Sequence, residues 1–234
     1  MKAKTADEAA DRRGDGITCP LCAGAARFFA RDRRRRFLRC PACALVFADA
    51  ADHLGRDAER AEYDLHRNDA ADPAYRHFLS RLSIPLLSRL RAGHRGLDFG
   101  SGPGPTLAAM LAEAGMRMSI YDPFFAPQHD ALARHYDFVT CSEVVEHFNH
   151  PAESWLQLAA LLAPGGWLGV MTSMPDDDVP AEEFLAWRYK DDLTHVSFYS
   201  LATMRWIAAR LQLELTPIDG RVVLFQRPAG RLLP

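Results

Sequence analysis

Asp98, Gly100, Gly102 and Gly104 stand at alternate positions in Gly96-Leu97-Asp98-Phe99-Gly100-Ser101-Gly102-Pro103-Gly104-Pro105. Glycines at that spacing let a backbone turn tightly and approach a ligand with no Cβ in the way. From Thr106 to Ala114 the apolar spacing is helical, so a helix N-terminus would face the same ligand. A further acid, Asp122, closes the run Met118-Ser119-Ile120-Tyr121. A carboxylate at a strand end can accept both hydroxyls of a ribose. A glycine-rich turn of this kind also occurs in dinucleotide enzymes, but there the spacing is G-x-G-x-x-G.

Two other stretches carry groups able to move a proton. If Glu143-Val144-Val145-Glu146-His147 is helical, its two acids lie about one turn apart with His147 beside Glu146. His195 lies in Trp187-Arg188-Tyr189-Lys190-Asp191-Asp192-Leu193-Thr194-His195-Val196-Ser197-Phe198-Tyr199. An imidazole titrating near neutrality could deprotonate a hydroxyl, while Trp187 and Tyr189 stack on a flat or sugar-like molecule. The plainer assignment makes Glu143 a pocket support, Glu146 a solvated acid and His147 a helix cap. It also makes His195 a buried hydrogen-bonding residue beside helix starts at Thr194 and Ser200.

Four of the five cysteines form Cys19-Pro20-Leu21-Cys22 and Cys40-Pro41-Ala42-Cys43, with 17 residues between the pairs. Two C-x2-C turns at that spacing can close a tetrahedral S4 zinc site, and the metal would supply folding free energy that so few apolar residues cannot. Surface turns or a disulfide pair are the alternatives, and disulfides are rare in a reducing compartment. The fifth, Cys141, reads as a small packed side chain. Arg31, Arg33, Arg34, Arg35 and Arg36 read as a solvated hairpin tip in preference to a patch for RNA or an anionic substrate.

The elements that must position these groups follow from periodicity. From Gly96 the order is strand, helix, strand, strand, helix, strand, helix, strand, strand. The last two strands are Leu211–Leu215 and Val222–Gln226, turned at Asp219-Gly220. A helical pattern after Pro73 is interrupted at Pro85. Residues 1–15 read as a disordered tail, 16–50 as a zinc ribbon, 51–92 as a helical lid or linker, and 93–234 as the main domain. A net charge of −2 gives no global case for nucleic acid or membrane surfaces. No apolar run approaches the roughly 20 residues of a membrane span, and Met1–Asp15 lacks the apolar core of a signal peptide, so a cytoplasmic location is expected.

Four segments in order, the Asp98–Gly104 turn, the Asp122 strand end, Tyr136–Phe148 and Leu161–Met171, resemble the motifs of class I S-adenosylmethionine (SAM) methyltransferases. The third segment is similar to the fourth-strand motif of the ubiquinone-pathway O-methyltransferases. The resemblance spans about residues 93–234 and implies a Rossmann-like, doubly wound, seven-stranded α/β sheet. It implies SAM held by Asp98, Gly100, Ser101, Gly102, Gly104, Asp122, Cys141 and Ser142, with catalysis by His195, Glu143 and His147. A divalent ion on Glu143, Glu146 and His147 also follows from the resemblance, Mg²⁺ by ligand type. Methylation of a small molecule, first at a hydroxyl oxygen, is the expected reaction, with the segment around Tyr63-Asp64-Leu65-His66-Arg67-Asn68 as lid. Only 14 residues separate Asp122 from Asp137, so the third strand is expected to be short or missing. His129 and Asp130 are the polar residues there able to face adenine. Two rivals stand beside this reading: an RNA base methyltransferase docking through the ribbon and arginine loop, and a SAM-fold binding protein without activity. The lack of any other basic cluster opposes the first; intact Asp98, Gly102 and Asp122 oppose the second.

Overall fold

The computed structural model describes residues 16–64 and 69–230, so the expected tail 1–15 and Leu65–Asn68 of the expected lid lie outside the described residues. Two cysteine turns flank the hairpin of β1 (Arg27–Arg31) and β2 (Arg36–Arg39), and β3 (Val46–Ala48) follows. Helices α1 (Arg56–Tyr63) and α2 (Pro73–Leu87) lead into β4 (Arg95–Phe99), α3 (Thr106–Glu113), β5 (Arg117–Tyr121) and β6 (Tyr136–Ser142). Then come α4 (Pro151–Ala160), β7 (Leu162–Met171), α5 (Ala181–Ala186), β8 (Ser197–Phe198), α6 (Leu201–Leu211), β9 (Glu214–Pro217) and β10 (Val222–Gln226).

The main sheet has the order β5-β4-β6-β7-β10-β9. Its first four strands are parallel, and β10 runs antiparallel to both neighbours. This is the Rossmann-like methyltransferase arrangement with six strands in place of the expected seven. Between Asp122 and Asp137 the chain makes only a 3-10 turn at His129–Ala133, because a parallel strand needs a crossover of a dozen or more residues to reach it. Side chains alternate across the sheet: Val139 and Cys141 pack with Trp155, Leu158 and Ile207, while Phe138 packs with Leu79, Leu82 and Leu86. Among the described residues no helix is long and apolar enough to cross a membrane.

Two boundaries differ from expectation. Helix α2 runs through Pro85, since near its C-terminal end the ring removes one bond and Ser88 N–H bonds to Ile84 O at 3.3 Å just beyond it. Buried Leu82 and Leu86 hold that last turn on the sheet. Helix α6 absorbs Leu211 and stops at Gln212, whose φ of 55° closes it, so β9 starts only at Glu214. The Asp219 turn stands as expected, its carboxylate accepting from Arg221 and Val222 N–H at 2.7 and 2.9 Å.

A second sheet, β1-β2-β3-β8, was not anticipated: its last strand belongs to the segment after β7 and pairs Val46 with Phe198 and Phe47 with Ser197. Phe37 meets Phe184 and Phe198 edge-on at ring distances of 5.0 and 6.0 Å. Cys19, Cys40, Cys43 and Leu38 lie in the same buried cluster as Leu97, Val145 and Tyr199. The cysteine module therefore shares its core with the main sheet.

Candidate active site

The strand order reverses between β4 and β6, and a cleft of about 530 Å³ opens at the carboxyl ends of those strands and β5. Gly100 and Gly102 have φ of 76° and 63°, and a Cβ on Gly100 would stand 2.4 Å from Val144 Cγ2. The turn they make is tied to β5: Gly100 and Ser101 N–H donate to Tyr121 O at 2.8 and 3.2 Å, and Gly102 N–H to Asp122 Oδ2 at 2.9 Å. The other oxygen of Asp122 accepts from Phe124 and Phe125 N–H at 2.8 and 3.0 Å. Asp122 therefore shapes the loop as well as facing the cleft. Asp98 is buried and accepts from Thr140 Oγ1 at 2.7 Å; burial pushes its carboxyl up to about 6.

Asp98, Gly100, Ser101, Gly102, Gly104, Asp122 and Ser142 all line the cleft. Cys141 does not: its side chain is fully buried on the α4 face of β6, as the packed side chain expected of it. His129 and Asp130 lie on a separate cavity along β5, away from the cleft. Tyr63 lines the cleft, its ring 5.5 Å from Phe124 and 5.2 Å from His147.

The acid stretch is not an α-helix. Glu143 has φ of 52°, its N–H donates to Met171 O at 2.7 Å, and Val145–His147 form one 3-10 turn. Glu146 is fully buried, which excludes the solvated acid, and the Tyr189 hydroxyl bonds to it. The same hydroxyl lies 3.2 Å from Glu143 Oε2 and 3.1 Å from Thr172 Oγ1. One hydroxyl proton cannot satisfy two carboxylates. Burial and the neighbouring Glu146 charge push Glu143 up to about 8, against the pull of Arg221 3.9 Å away; burial raises Glu146 as well.

His195 is buried yet reaches the cleft wall with Glu143 and His147. Its Nδ1 lies 2.7 Å from Tyr189 O and, since a carbonyl only accepts, carries the proton; Nε2 then presents a lone pair. Burial holds the imidazole below its usual range, with Glu146 opposing. His147 Nδ1 likewise donates to Thr194 O at 3.1 Å, so it is no helix cap. One ligand atom each from Glu146, His147 and His195 lies within 4.8 Å of the others, a trio that includes His195 and leaves out Glu143. Glu146 Oε2 has no hydrogen-bond partner among the described residues. Trp187 turns away into the Phe184 and Phe198 cluster, ring distances 6.1 and 6.0 Å, and does not line the cleft.

The four sulfurs of Cys19, Cys22, Cys40 and Cys43 also lie within 4.8 Å of one another, with 3.5 Å from Cys19 to Cys43 and 3.4 Å from Cys22 to Cys40. All four are free thiols. A zinc tetrahedron with 2.3 Å bonds has edges of about 3.8 Å, so the donor set fits that ion with little movement.

A methyltransferase domain family matches residues 59–218, more than half of the chain. The protein belongs to that family. No curated protein sequence matches it. Solved structures with a similar fold include an O-methyltransferase family protein from Burkholderia thailandensis (20% identity, TM-score 0.47, 65% of this chain and 57% of that one). Others are the YcgJ protein of Bacillus subtilis (15%, 0.45, 64% and 99%) and an O-methyltransferase family 2 protein from Planctomyces limnophilus in complex with apigenin (18%, 0.47, 74% and 63%). The chain thus spans less than two thirds of the length of the Burkholderia and Planctomyces proteins.

Sequence reasoning missed the burial of Arg35 against the 190–195 loop and the approach of Arg221, just before β10, to Glu143. One arginine among several charged neighbours carries no local signal of where it will be buried.

Proposed function

We propose that this protein is a SAM-dependent methyltransferase acting on a small molecule, with a hydroxyl oxygen as the methylated atom. The observation that carries the reading is the neutral His195 on the wall of the cleft whose other side is the glycine turn. Bound SAM supplies a methyl group on a sulfonium, so transfer needs an in-line nucleophile more than acid catalysis. Asp98, Gly100, Ser101, Gly102, Gly104 and Ser142 would hold it, with Asp122 Oδ2 keeping capacity for a ribose hydroxyl. His195 Nε2 takes the proton of the acceptor hydroxyl as its oxygen attacks. Glu146 and Asp192, whose Oδ2 lies 3.7 Å from Nε2, stabilise the charged imidazole that results.

Residues 16–50 read as a zinc-bound module, because an all-thiolate set suits that ion. The Arg31–Arg36 loop gives RNA docking little support: Arg35 is buried and Arg36 is paired with Asp49 at 2.5 Å. The convergence of Glu146, His147 and His195 favours a second reading, in which these three hold a divalent ion that lowers the acceptor's pKa. Each imidazole donates its other nitrogen to a backbone carbonyl, as metal-ligating histidines do. Two imidazoles suit a transition metal better than the Mg²⁺ expected on Glu143, Glu146 and His147.

Calorimetry tests the cofactor half. SAM and S-adenosylhomocysteine are both expected to bind, and Asp122→Ala to weaken each by roughly 1.5–3 kcal/mol. No binding by the wild type overturns the catalytic reading. Turnover of labelled SAM against a metabolite extract, with and without ribonuclease and with Mg²⁺, Mn²⁺ or Zn²⁺ added, then separates acceptor classes and metal dependence.

A further inference from the structure

Arg35 is 2% exposed although it stands among four other arginines at a hairpin tip. Its guanidinium reaches across to one loop and donates to three of its carbonyls: Lys190 O, Leu193 O at 3.4 Å and His195 O at 2.7 Å. Among the described residues no carboxylate oxygen accepts from it and its Nε has no hydrogen-bond partner, and burial holds its pKa below the usual range. Burying a cation without a contacting counter-ion is costly, and a solvated tip would not incur that cost. The expected solvated tip is therefore corrected at this residue.

Neighbouring contacts run to the same place. Arg34 Nη2 donates to Asp191 O at 3.1 Å. Asp32 accepts from Arg34 and Arg35 N–H at 2.8 Å each and faces Lys190 Nζ at 3.3 Å. The carbonyls so held, from Lys190 to His195, immediately follow Tyr189, whose own carbonyl accepts the Nδ1 proton of His195. Pairing of β8 with β3 holds the far side of the loop.

We propose that Arg35 is a positioning residue for His195, and that the cysteine module is the clamp through which a bound metal sets the acceptor side of the cleft. The rigid guanidinium fork serves three carbonyls from two nitrogens held at a fixed separation, which the single nitrogen of an ammonium cannot reproduce. Cys40 follows Arg39 at the end of β2, so a metal on the four cysteines anchors the base of the hairpin whose tip holds the loop. The inference rests on His195 as the acceptor-side base.

The test needs no acceptor. The full chain, labelled with ¹⁵N-histidine and checked for zinc by emission spectroscopy, is examined by long-range ¹H–¹⁵N spectra, with His195→Gln identifying the His195 signals. The wild type is expected to hold His195 in the Nδ1–H tautomer. Arg35→Met, and separately removal of the metal by a chelator, are each expected to release the other tautomer, with Arg35→Lys intermediate. Affinity for S-adenosylhomocysteine should stay within about twofold, because neither Arg35 nor the four cysteines line the cleft. Where Arg35→Met does not fold, Arg35→Lys and the chelated protein carry the test. An unchanged Nδ1–H signal in the variants and the metal-free protein overturns the proposal. So does a wild type lacking that tautomer, or loss of S-adenosylhomocysteine binding in parallel, which would make the module a general scaffold. The base reading fails differently, by a His195→Ala enzyme that keeps its turnover while the tautomer result stands.

Discussion

Gly100 and Glu143 both follow strands of the main sheet at the mouth of the cleft, and both have positive φ, 76° and 52°. For glycine that conformation is nearly free; for glutamate it costs on the order of 1–3 kcal/mol and survives only where surrounding contacts impose it. The contrast extends to the two sides of the cleft. The glycine side is made of backbone N–H groups and two aspartates from β4 and β5, all within residues 98–125. The acid side is made of side chains from three stretches far apart in sequence: the 143–147 turn, the 189–195 loop and Arg35. Backbone recognition is encoded locally and tolerates little variation. A side-chain constellation is assembled by packing and stores strain and unsatisfied groups.

The largest expected effect that sharpens this contrast is at His195. His195→Ala should lower turnover by roughly 10²–10⁴, the usual contribution of a positioned acid or base, and leave SAM affinity nearly unchanged. Steady-state kinetics beside calorimetry checks it. Equal loss in both would make the histidine a shared structural element and erase the division between the sides.

Next is the buried acid of the glycine side. Because burial raises Asp98 from 3.8 to about 6, the folded protein binds that proton more tightly than the unfolded chain. Its contribution is therefore most favourable below the ordinary aspartate value and is lost as pH rises towards 6. Asp98→Asn should remove this dependence, so the variant should gain on wild type by up to about 3 kcal/mol between pH 4 and pH 7. Urea unfolding of the ligand-free proteins at the two pH values measures it. A constant difference would show an acid that is not sealed from water.

The smallest effect concerns Tyr189. Tyr189→Phe leaves buried Glu146 without its donor and should cost about 1–3 kcal/mol of stability, with S-adenosylhomocysteine affinity unchanged. Chemical denaturation provides the test; a neutral substitution would mean that the acid pair is protonated and self-sufficient.

The glycine turn, the acid at Asp122, the strand order and the missing third strand were legible because each depends on residues close in sequence. The paired C-x2-C turns were legible for the same reason. Glu143–His147 was legible as a group of reactive side chains but not as a shape: apolar spacing over five residues does not separate an α-helix from a 3-10 turn entered through a left-handed residue. Cys141 was assigned by its strand position, yet period-2 alternation turned it to the α4 face. Trp187 had the composition of a stacking residue, but Phe184 and Phe198 offered it a packed cluster instead.

The sequence by itself determined the Rossmann-like sheet, the cofactor turn and the two cysteine pairs, since glycine conformation, hydrophobic period and thiol spacing act over a few residues. Only the tertiary structure decided that β8 would join the N-terminal sheet and that Arg35 would be the buried arginine. It also decided that Glu146, His147 and His195 would converge, with Glu143 standing apart across Tyr189. These outcomes depend on which surfaces meet when two sheets pack around one loop, and no spacing within either segment specifies that meeting.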